Sequence, residues 1–199
     1  MLLKVKEKKE RSLGTKLFLK AERCNSPKCV TVRRPYRPGV HSKKRKISSE
    51  YGRQLMEKQK IQIIYGLNNR QLGKLFSFSK EKALSILERR LDRAVFYVGL
   101  AGSPRIARQL INHGHILVQG RRVTIPSYRV RIGDVISIRP GSRPLKIFED
   151  ILIRKKQFEP PAWLKVFPEE LKGECIGEPD LDGAKLSFDI NLVGEFYSR

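Results

Sequence analysis

The apolar periodicity of the chain changes at Gly114, and this change limits the folds open to it. Between residues 84 and 111, apolar side chains recur every three or four positions, which is the spacing of amphipathic helices. After Gly114 they come in short runs bounded by Gly-containing turns, which is typical of strands. We therefore expect helices that lead into a small β-sheet.

Two helices are predicted before Gly114. The apolar spacing predicts one continuous helix over residues 84–99. Ser103 and the proline after it predict the N-cap and first turn of a second helix, which Gly114 ends. Arg105 and Arg108 then lie opposite the apolar face, where they can meet phosphates together with the helix N-terminus.

The charge of the chain indicates a polyanionic partner. It carries 42 Lys and Arg against 20 Asp and Glu, although residues 158–199 alone are acidic, with 4 basic and 9 acidic side chains. Neutralised phosphates release counterions, so a nucleic acid is the simplest partner. The sequence has no apolar run long enough to span a bilayer and no lipidation signal, so we expect no membrane association.

A basic segment rich in Pro and Gly occupies residues 33–46, RRPYRPGVHSKKRK. Its restricted backbone loses little entropy on binding, although a solvated, disordered linker is the alternative for the free protein. Tyr36 and His41 offer planar faces for stacking on a base or ribose. Ser48 or Ser49 is the predicted N-cap of the following helix. Its predicted inward residues are Leu55, Met56, Ile61 and Ile64, and its predicted outward residues are Arg53, Lys58 and Lys60.

Three segments resemble the RNA-binding module of the ribosomal protein S-four family: RLDRAVFYVGL, SPRIARQLINHGHILVQGRRV and SYRVRIGDVISI. That module also occurs in some tyrosyl-tRNA synthetases, pseudouridine synthases and a small heat-shock protein, so alone it leaves the host protein open. The flanking segments LGTKLFLKAERCNSPKC, RRPYRPGVHSKKRKISSEYGRQLMEKQKIQIIYGLNNRQLGKLF and LVGEFYSR resemble the ends of the bacterial ribosomal protein itself. The resemblance thus covers nearly the whole chain.

The expected fold is α+β, with a mainly helical, discontinuous N-terminal domain and an inserted RNA-binding module of two helices and a small β-sheet. We expect a basic N-terminal arm and loop at residues 1–45, a helical domain at 46–86 completed by 145–199, and the RNA-binding module at 87–144. Alternating Leu186, Phe188, Ile190 and Leu192 predict a strand or extended segment that packs back onto the N-terminal region.

The resemblance implies a structural, non-enzymatic protein. Its expected role is primary binding of 16S-type small-subunit rRNA, nucleation of the subunit body and a contribution to decoding accuracy. The alternative is a free RNA-binding module protein, either an accessory of an RNA-modifying enzyme or a heat-shock type ribosome-binding factor. Expected partners are neighbouring small-subunit proteins, with ribosomal protein S-five foremost, and messenger RNA at its entrance. The expected location is the ribosome, in the cytoplasm or in an organellar matrix or stroma.

No catalytic residue is predicted, because His113 and His115 lack a companion carboxylate pair or nucleophile motif. The resemblance implies messenger as well as rRNA contacts for the basic cluster at residues 43–46. The predicted RNA-binding residues are Arg33, Arg34, Arg37, Lys43, Lys44, Arg45, Lys46, Arg53, Lys58, Lys60, Arg89, Arg93, Arg105, Arg108, His113, His115, Arg121, Arg122 and Arg129.

Cys24 and Cys29 stand where zinc-binding members of this family place their second cysteine pair. Glu7 and Glu10 stand in the place of the first pair. Two thiolates with two carboxylates form an unusual structural zinc site, since closed sites favour Cys and His. We therefore predict no metal or cofactor, with bound zinc as the alternative, and the odd number of cysteines, 3, argues against a disulfide framework.

Overall fold

A computed structural model describes residues 6–17, 19, 24, 26–40, 49–77, 79–145, 148, 160–167, 169–179 and 187–198. The chain forms two compact units, one of Met1–Ala83 with Lys185–Arg199 and the other of Leu84–Ala184. The first unit is therefore discontinuous in sequence, as expected, with the second inserted into it. Within the described ranges, every helix is too short or too polar to cross a membrane.

The first unit is helical. Helix α3 begins where the Ser49 hydroxyl accepts a hydrogen bond from the Gly52 N–H, and it ends at Gly66, whose φ of 60° is left-handed. Asn68 and Gln71 form a capping box at the start of α4. The helices of this unit are α1 (Lys6–Leu13), α2 (Val30–Arg33), α3 (Glu50–Tyr65), α4 (Asn69–Phe76), the start of α5 (Lys80–Glu88) and α8 (Ile190–Tyr197).

The segment that returns to the first unit is a helix, so the predicted strand or extended tail is wrong. The Asp189 carboxylate accepts hydrogen bonds from the Asn191 and Leu192 N–H groups and thereby starts α8. Val193 is fully buried as α8 packs against α3, which confirms the expected return to the N-terminal region. Residue 186, which opened the predicted alternation, lies outside the described residues.

Lys58 and Lys60 do not face outward from α3, contrary to the prediction. The Lys58 ammonium lies 4.2 Å from the ring centroid of Phe196, and Lys60 forms a 2.6 Å ion pair with Glu57. Burial lowers the pKa of Lys58. The Phe196 ring of α8 covers the Lys58 stem, one helical turn from the buried Ile61.

The second unit combines helices with an antiparallel sheet. The sheet has the strand order β2-β1-β3-β5-β4, and its inner face packs on two short helices. The elements after α5 are α6 (Leu91–Tyr97), α7 (Pro104–Asn112), β1 (Ile116–Val118), β2 (Arg121–Arg122), β3 (Val135–Ile138), a 3-10 turn (Pro140–Ser142), β4 (Leu164–Phe167) and β5 (Lys172–Cys175).

The predicted continuous helix over residues 84–99 is instead two helices, α5 and α6. The break lies at Arg89 and Arg90, where the backbone pairs with another segment of the chain. The Leu91 N–H donates to the Tyr128 carbonyl at 2.8 Å, and the Val130 N–H donates to the Arg89 carbonyl at 2.8 Å. Both helices keep their apolar face inward, so the predicted spacing survives the break.

Strands β4 and β5 belong to the sheet of the second unit, although residues 145–199 were expected to complete the N-terminal domain. Glu174 of β5 pairs with Val135 of β3, and the Trp163 ring lies edge-on to Tyr97 at 6.3 Å. The acidic composition of this segment suggested a place away from the basic module. Its position is decided by apolar side chains, because Trp163 and Leu164 are buried in the core of this unit.

Replacing Gly173 by Ala is expected to destabilise the second unit by about 1 to 3 kcal/mol, because a Cβ there would overlap the buried Val98 side chain. Gly177→Ala is the matched control, since a Cβ at Gly177 meets no atom within 4 Å. Urea unfolding curves of both variants test this. Equal midpoints for the two variants would contradict close packing of β5 on the end of α6.

Candidate RNA-binding site

Helix α7 presents arginines opposite its apolar face. The Ser103 hydroxyl accepts a hydrogen bond from the Ile106 N–H, which confirms the predicted N-cap. Ala107 and Ile111 are fully buried, whereas Arg105 and Arg108 are half-buried. Arg105 and Arg108 therefore lie on the face of α7 away from its buried residues, near the helix start, where an RNA phosphate can approach.

The buried carboxylate of Asp92 binds two arginines beneath this face of α7. Asp92 accepts two hydrogen bonds from Arg90, at 3.1 and 2.9 Å, and lies 3.5 Å from the Arg108 guanidinium. Burial lowers the pKa of Arg108, and Asp92 opposes that shift. The Arg108 side chain keeps 27% of its surface exposed, so it is oriented by Asp92 and still reachable by a ligand.

A second cluster of cationic groups surrounds Gly114. Its φ of 74° confirms the predicted left-handed residue, and the Arg122 guanidinium lies directly against its Cα. The His113 and His115 rings stack with centroids 6.0 Å apart, and His115 Nδ1 lies 2.9 Å from the Ser142 hydroxyl. Burial, then the positive charges of His113, Arg139 and Arg122, lower the pKa of His115. The cluster thus favours an anion.

Some of the predicted RNA-binding residues are engaged within the unit. Arg93 lies 3.4 Å from Glu88, 2.5 Å from the Tyr97 hydroxyl and over the Tyr97 ring. Arg89 donates to the Val130 carbonyl and to Glu178. Arg93 in particular packs against the rings of Phe96 and Tyr97, so its guanidinium stabilises the fold of the second unit.

Arg121, Arg122 and Arg129 are exposed along the strands and turns of the second unit, as predicted. Arg139 was not among the predicted RNA-binding residues. It directly follows β3, and its N–H donates to the His115 carbonyl at 2.8 Å, which places it in the cluster around Gly114. A basic residue at the end of an apolar strand is the signal that could have found it.

The first unit carries its own basic surface. Arg33, Arg34 and Arg37 are exposed in and after α2, and Arg53 is exposed on α3. Arg11, which was not among the predicted residues, donates from its side chain to the backbone that follows α2. The remaining predicted positions of the basic segment, Lys43, Lys44, Arg45 and Lys46, lie outside the described residues, as does His41.

The residues near Cys24 do not fit a structural zinc site. The Glu10 carboxylate is only 2% exposed and accepts hydrogen bonds from the Leu17 and Leu19 N–H groups, at 3.1 and 3.2 Å. The Cys24 thiol donates to the same oxygen at 4.0 Å. Glu10 therefore already ties this turn together by hydrogen bonds. Among the described residues there is no group of three or more His, Cys, Asp or Glu placed to hold a metal ion.

Two family models match the chain. The S4 domain matches residues 89–136, and the ribosomal protein S4/S9 N-terminal domain matches residues 2–92. The small ribosomal subunit protein uS4 of Thermus thermophilus is 46% identical over 194 residues, covering 94% of this chain and 93% of that protein. The proteins of the same name from Halothermothrix orenii and Pelotomaculum thermopropionicum are 44% and 42% identical, with the same coverage.

The chain belongs to the uS4 family. The matched S4 domain contains both arginine groups described above, the one held by Asp92 and the one around Gly114, while Arg139 lies just beyond the matched range. The N-terminal family domain contains α1 to α5 and the basic segment after α2. Family membership thus confirms the resemblance on both sides of the S4 domain.

Gly114→Ala is expected to weaken binding to a small-subunit rRNA fragment by about 1.5 kcal/mol, because the new methyl group displaces the Arg122 guanidinium. Gly120→Ala is the matched control. Its φ of 73° imposes the same strain, about 1 to 2 kcal/mol in stability, but its Cβ meets no atom within 4 Å. Filter-binding titrations measure the RNA affinity of both variants. Equal affinities would show that Arg122 does not contact the RNA.

Binding of RNA is expected to strengthen as pH falls from about 7.5 to 5.5, around the ordinary histidine pKa of about 6.5. In the free protein, burial lowers the pKa of His115. A nearby phosphate would raise that pKa, so binding takes up a proton and gains affinity at lower pH. In the same interval the free protein loses stability, since its unfolded state binds the proton more readily.

His115→Gln should flatten both dependences. Affinity titrations and urea unfolding at several pH values measure them. An unaltered affinity profile in His115→Gln would show that no phosphate reaches this ring.

Proposed function

We propose that this protein is a structural, non-enzymatic component of the small ribosomal subunit that binds 16S-type rRNA early and organises the subunit body around it. The observation that supports this proposal is that one S4 domain contains the arginines of α7, the N-terminus of that helix and the cationic cluster around Gly114. Membership in the uS4 family gives it a ribosomal context.

The proposed mechanism is electrostatic clamping combined with shape recognition. Exposed arginines neutralise phosphates and release counterions, which makes the affinity steeply dependent on salt. Double-stranded RNA hides its base edges in a deep groove, so the arrangement of phosphates at a junction carries most of the discrimination. Arg105 and Arg108 anchor the clamp, and Arg121, Arg122 and Arg129 extend it along the strands.

The finer partners are proposed from the family resemblance, and the charge of the chain agrees with them. Exposed Glu169, Glu170 and Glu178 in the second unit suit a basic neighbouring protein, and ribosomal protein S-five is the proposed neighbour through which decoding accuracy is influenced. The basic residues 43–46 are proposed to contact messenger RNA at its entrance as well as rRNA. Sedimentation with isolated subunits separates this role from that of a heat-shock type factor, which would bind the large subunit instead.

Replacing Arg105 and Arg108 together by Ala is expected to weaken binding to a small-subunit rRNA fragment by about 2 to 4 kcal/mol, at about 1 to 2 per charged contact. Lys74 and Lys82, both exposed, provide a double-alanine control that removes the same charge. Titrations at several salt concentrations measure both effects. If random duplex RNA bound as tightly as the rRNA fragment at moderate salt, the proposed function would be wrong.

A further inference from the structure

A single side chain of the first unit holds the start of the basic segment. Arg11, in the last turn of α1, donates from Nε to the carbonyl oxygens of Arg34 and Tyr36, each at 3.1 Å, and from Nη2 to the Tyr36 carbonyl at 2.9 Å. Two neighbouring carbonyl groups are thereby fixed by one guanidinium. These hydrogen bonds tie the backbone on either side of Pro35 to α1 in the absence of RNA.

The same guanidinium fixes an aromatic ring. The Cζ atom of Arg11 lies over the Tyr36 ring, 5.0 Å from its centroid, as in a cation–π contact. The ring nevertheless keeps 42% of its surface exposed. The next residue also contacts α3, because Arg37 Nη2 lies 3.7 Å from the Met56 sulfur.

The surroundings of Tyr36 are typical of a nucleotide-binding surface rather than of a protein core. Exposed Arg33, Arg34 and Arg37 lie within three residues of the ring. A loop that needed only an anchor would gain most by burying its tyrosine, because burial of an aromatic ring is strongly favourable. An exposed aromatic ring, held in place by Arg11 and followed and preceded by exposed arginines in sequence, is the combination by which proteins stack unpaired bases while neutralising the adjoining phosphates.

We propose that Tyr36 is a stacking site for an unpaired nucleobase of RNA, and that Arg11 is the residue that positions it. This inference rests on the proposed rRNA binding and adds to the phosphate clamp of the second unit a contact that distinguishes unpaired from paired nucleotides. Arg11 itself binds the protein backbone, so its contribution to RNA affinity passes through the order of the basic segment.

The experiment compares two RNAs, a small-subunit rRNA fragment that contains unpaired nucleotides and a fully paired duplex of the same length. Tyr36→Leu is expected to weaken binding of the full-length protein to the rRNA fragment roughly 5- to 150-fold, the range for one base stacked on an aromatic side chain. Its binding to the duplex should stay unchanged. Tyr36→Phe keeps the ring and should bind both RNAs as the unsubstituted protein does.

Arg11→Lys tests the positioning role, because lysine retains the charge but not the planar fork that holds two carbonyls. It should lower affinity for the rRNA fragment selectively, with an unchanged slope of log affinity against log salt concentration. Lys9→Ala, on the same helix and exposed, is the control and should leave the ratio of the two affinities unaltered. Circular dichroism melting curves show whether each variant is folded.

The outcomes separate the stacking site from the proposed function. If Tyr36→Leu binds the rRNA fragment as tightly as the unsubstituted protein, or loses equal affinity for both RNAs, the stacking site is wrong while the phosphate clamp stands. If the unsubstituted protein itself shows no preference for the rRNA fragment over random duplex, the proposed function fails first.

Discussion

The second unit depends on the neutralisation of positive charge around Asp92. This carboxylate is only 4% exposed, binds Arg90 through two hydrogen bonds and pairs with Arg108. Its own backbone N–H donates to the Pro126 carbonyl at 3.2 Å, so one residue connects α6, α7 and the segment before β3. Without Asp92, the Arg90 guanidinium would be a buried cation without its counter-charge, an arrangement that costs several kcal/mol.

This arrangement separates the arginines of the second unit into two kinds. Arg90 and Arg93 face inward, against Asp92 and Tyr97 respectively, and they set the geometry of the helices. Arg121, Arg122 and Arg129 are exposed to solvent and contribute the positive electrostatic potential that attracts RNA. Arg108 belongs to both kinds, because Asp92 orients it while part of its surface stays exposed. Charge count alone therefore overstates the number of phosphate contacts that the module can make.

Features set by neighbouring residues were predictable from the sequence. The caps at Ser49 and Ser103 and the left-handed Gly114 depend on bonds within a few positions, so their signals are local. The positions of the arginines on α7 follow from helical spacing in the same way. Most of the helical content and the arginines on α7 were thus predictable from the sequence.

Features set by distant residues were not predictable. The break between α5 and α6 requires the backbone near Tyr128, and the burial of Lys58 requires Phe196. Strands β4 and β5 join the sheet because buried Trp163 and Leu164 complete its core, which outweighs their acidic surroundings. Arg11 was overlooked for the same reason, since its partners Arg34 and Tyr36 follow more than 20 residues later.

The discontinuous first unit has a consequence for the order of events during synthesis. The hydrogen bond from Gln54 Nε2 to Glu195 joins residues that are 141 positions apart. At translation rates of about 5 to 20 residues per second, Gln54 is made about 7 to 28 s before its partner. The inserted unit is complete before α8 exists. In a nascent chain, the S4 domain can therefore fold and meet its RNA while the N-terminal helices still await the helix that closes them.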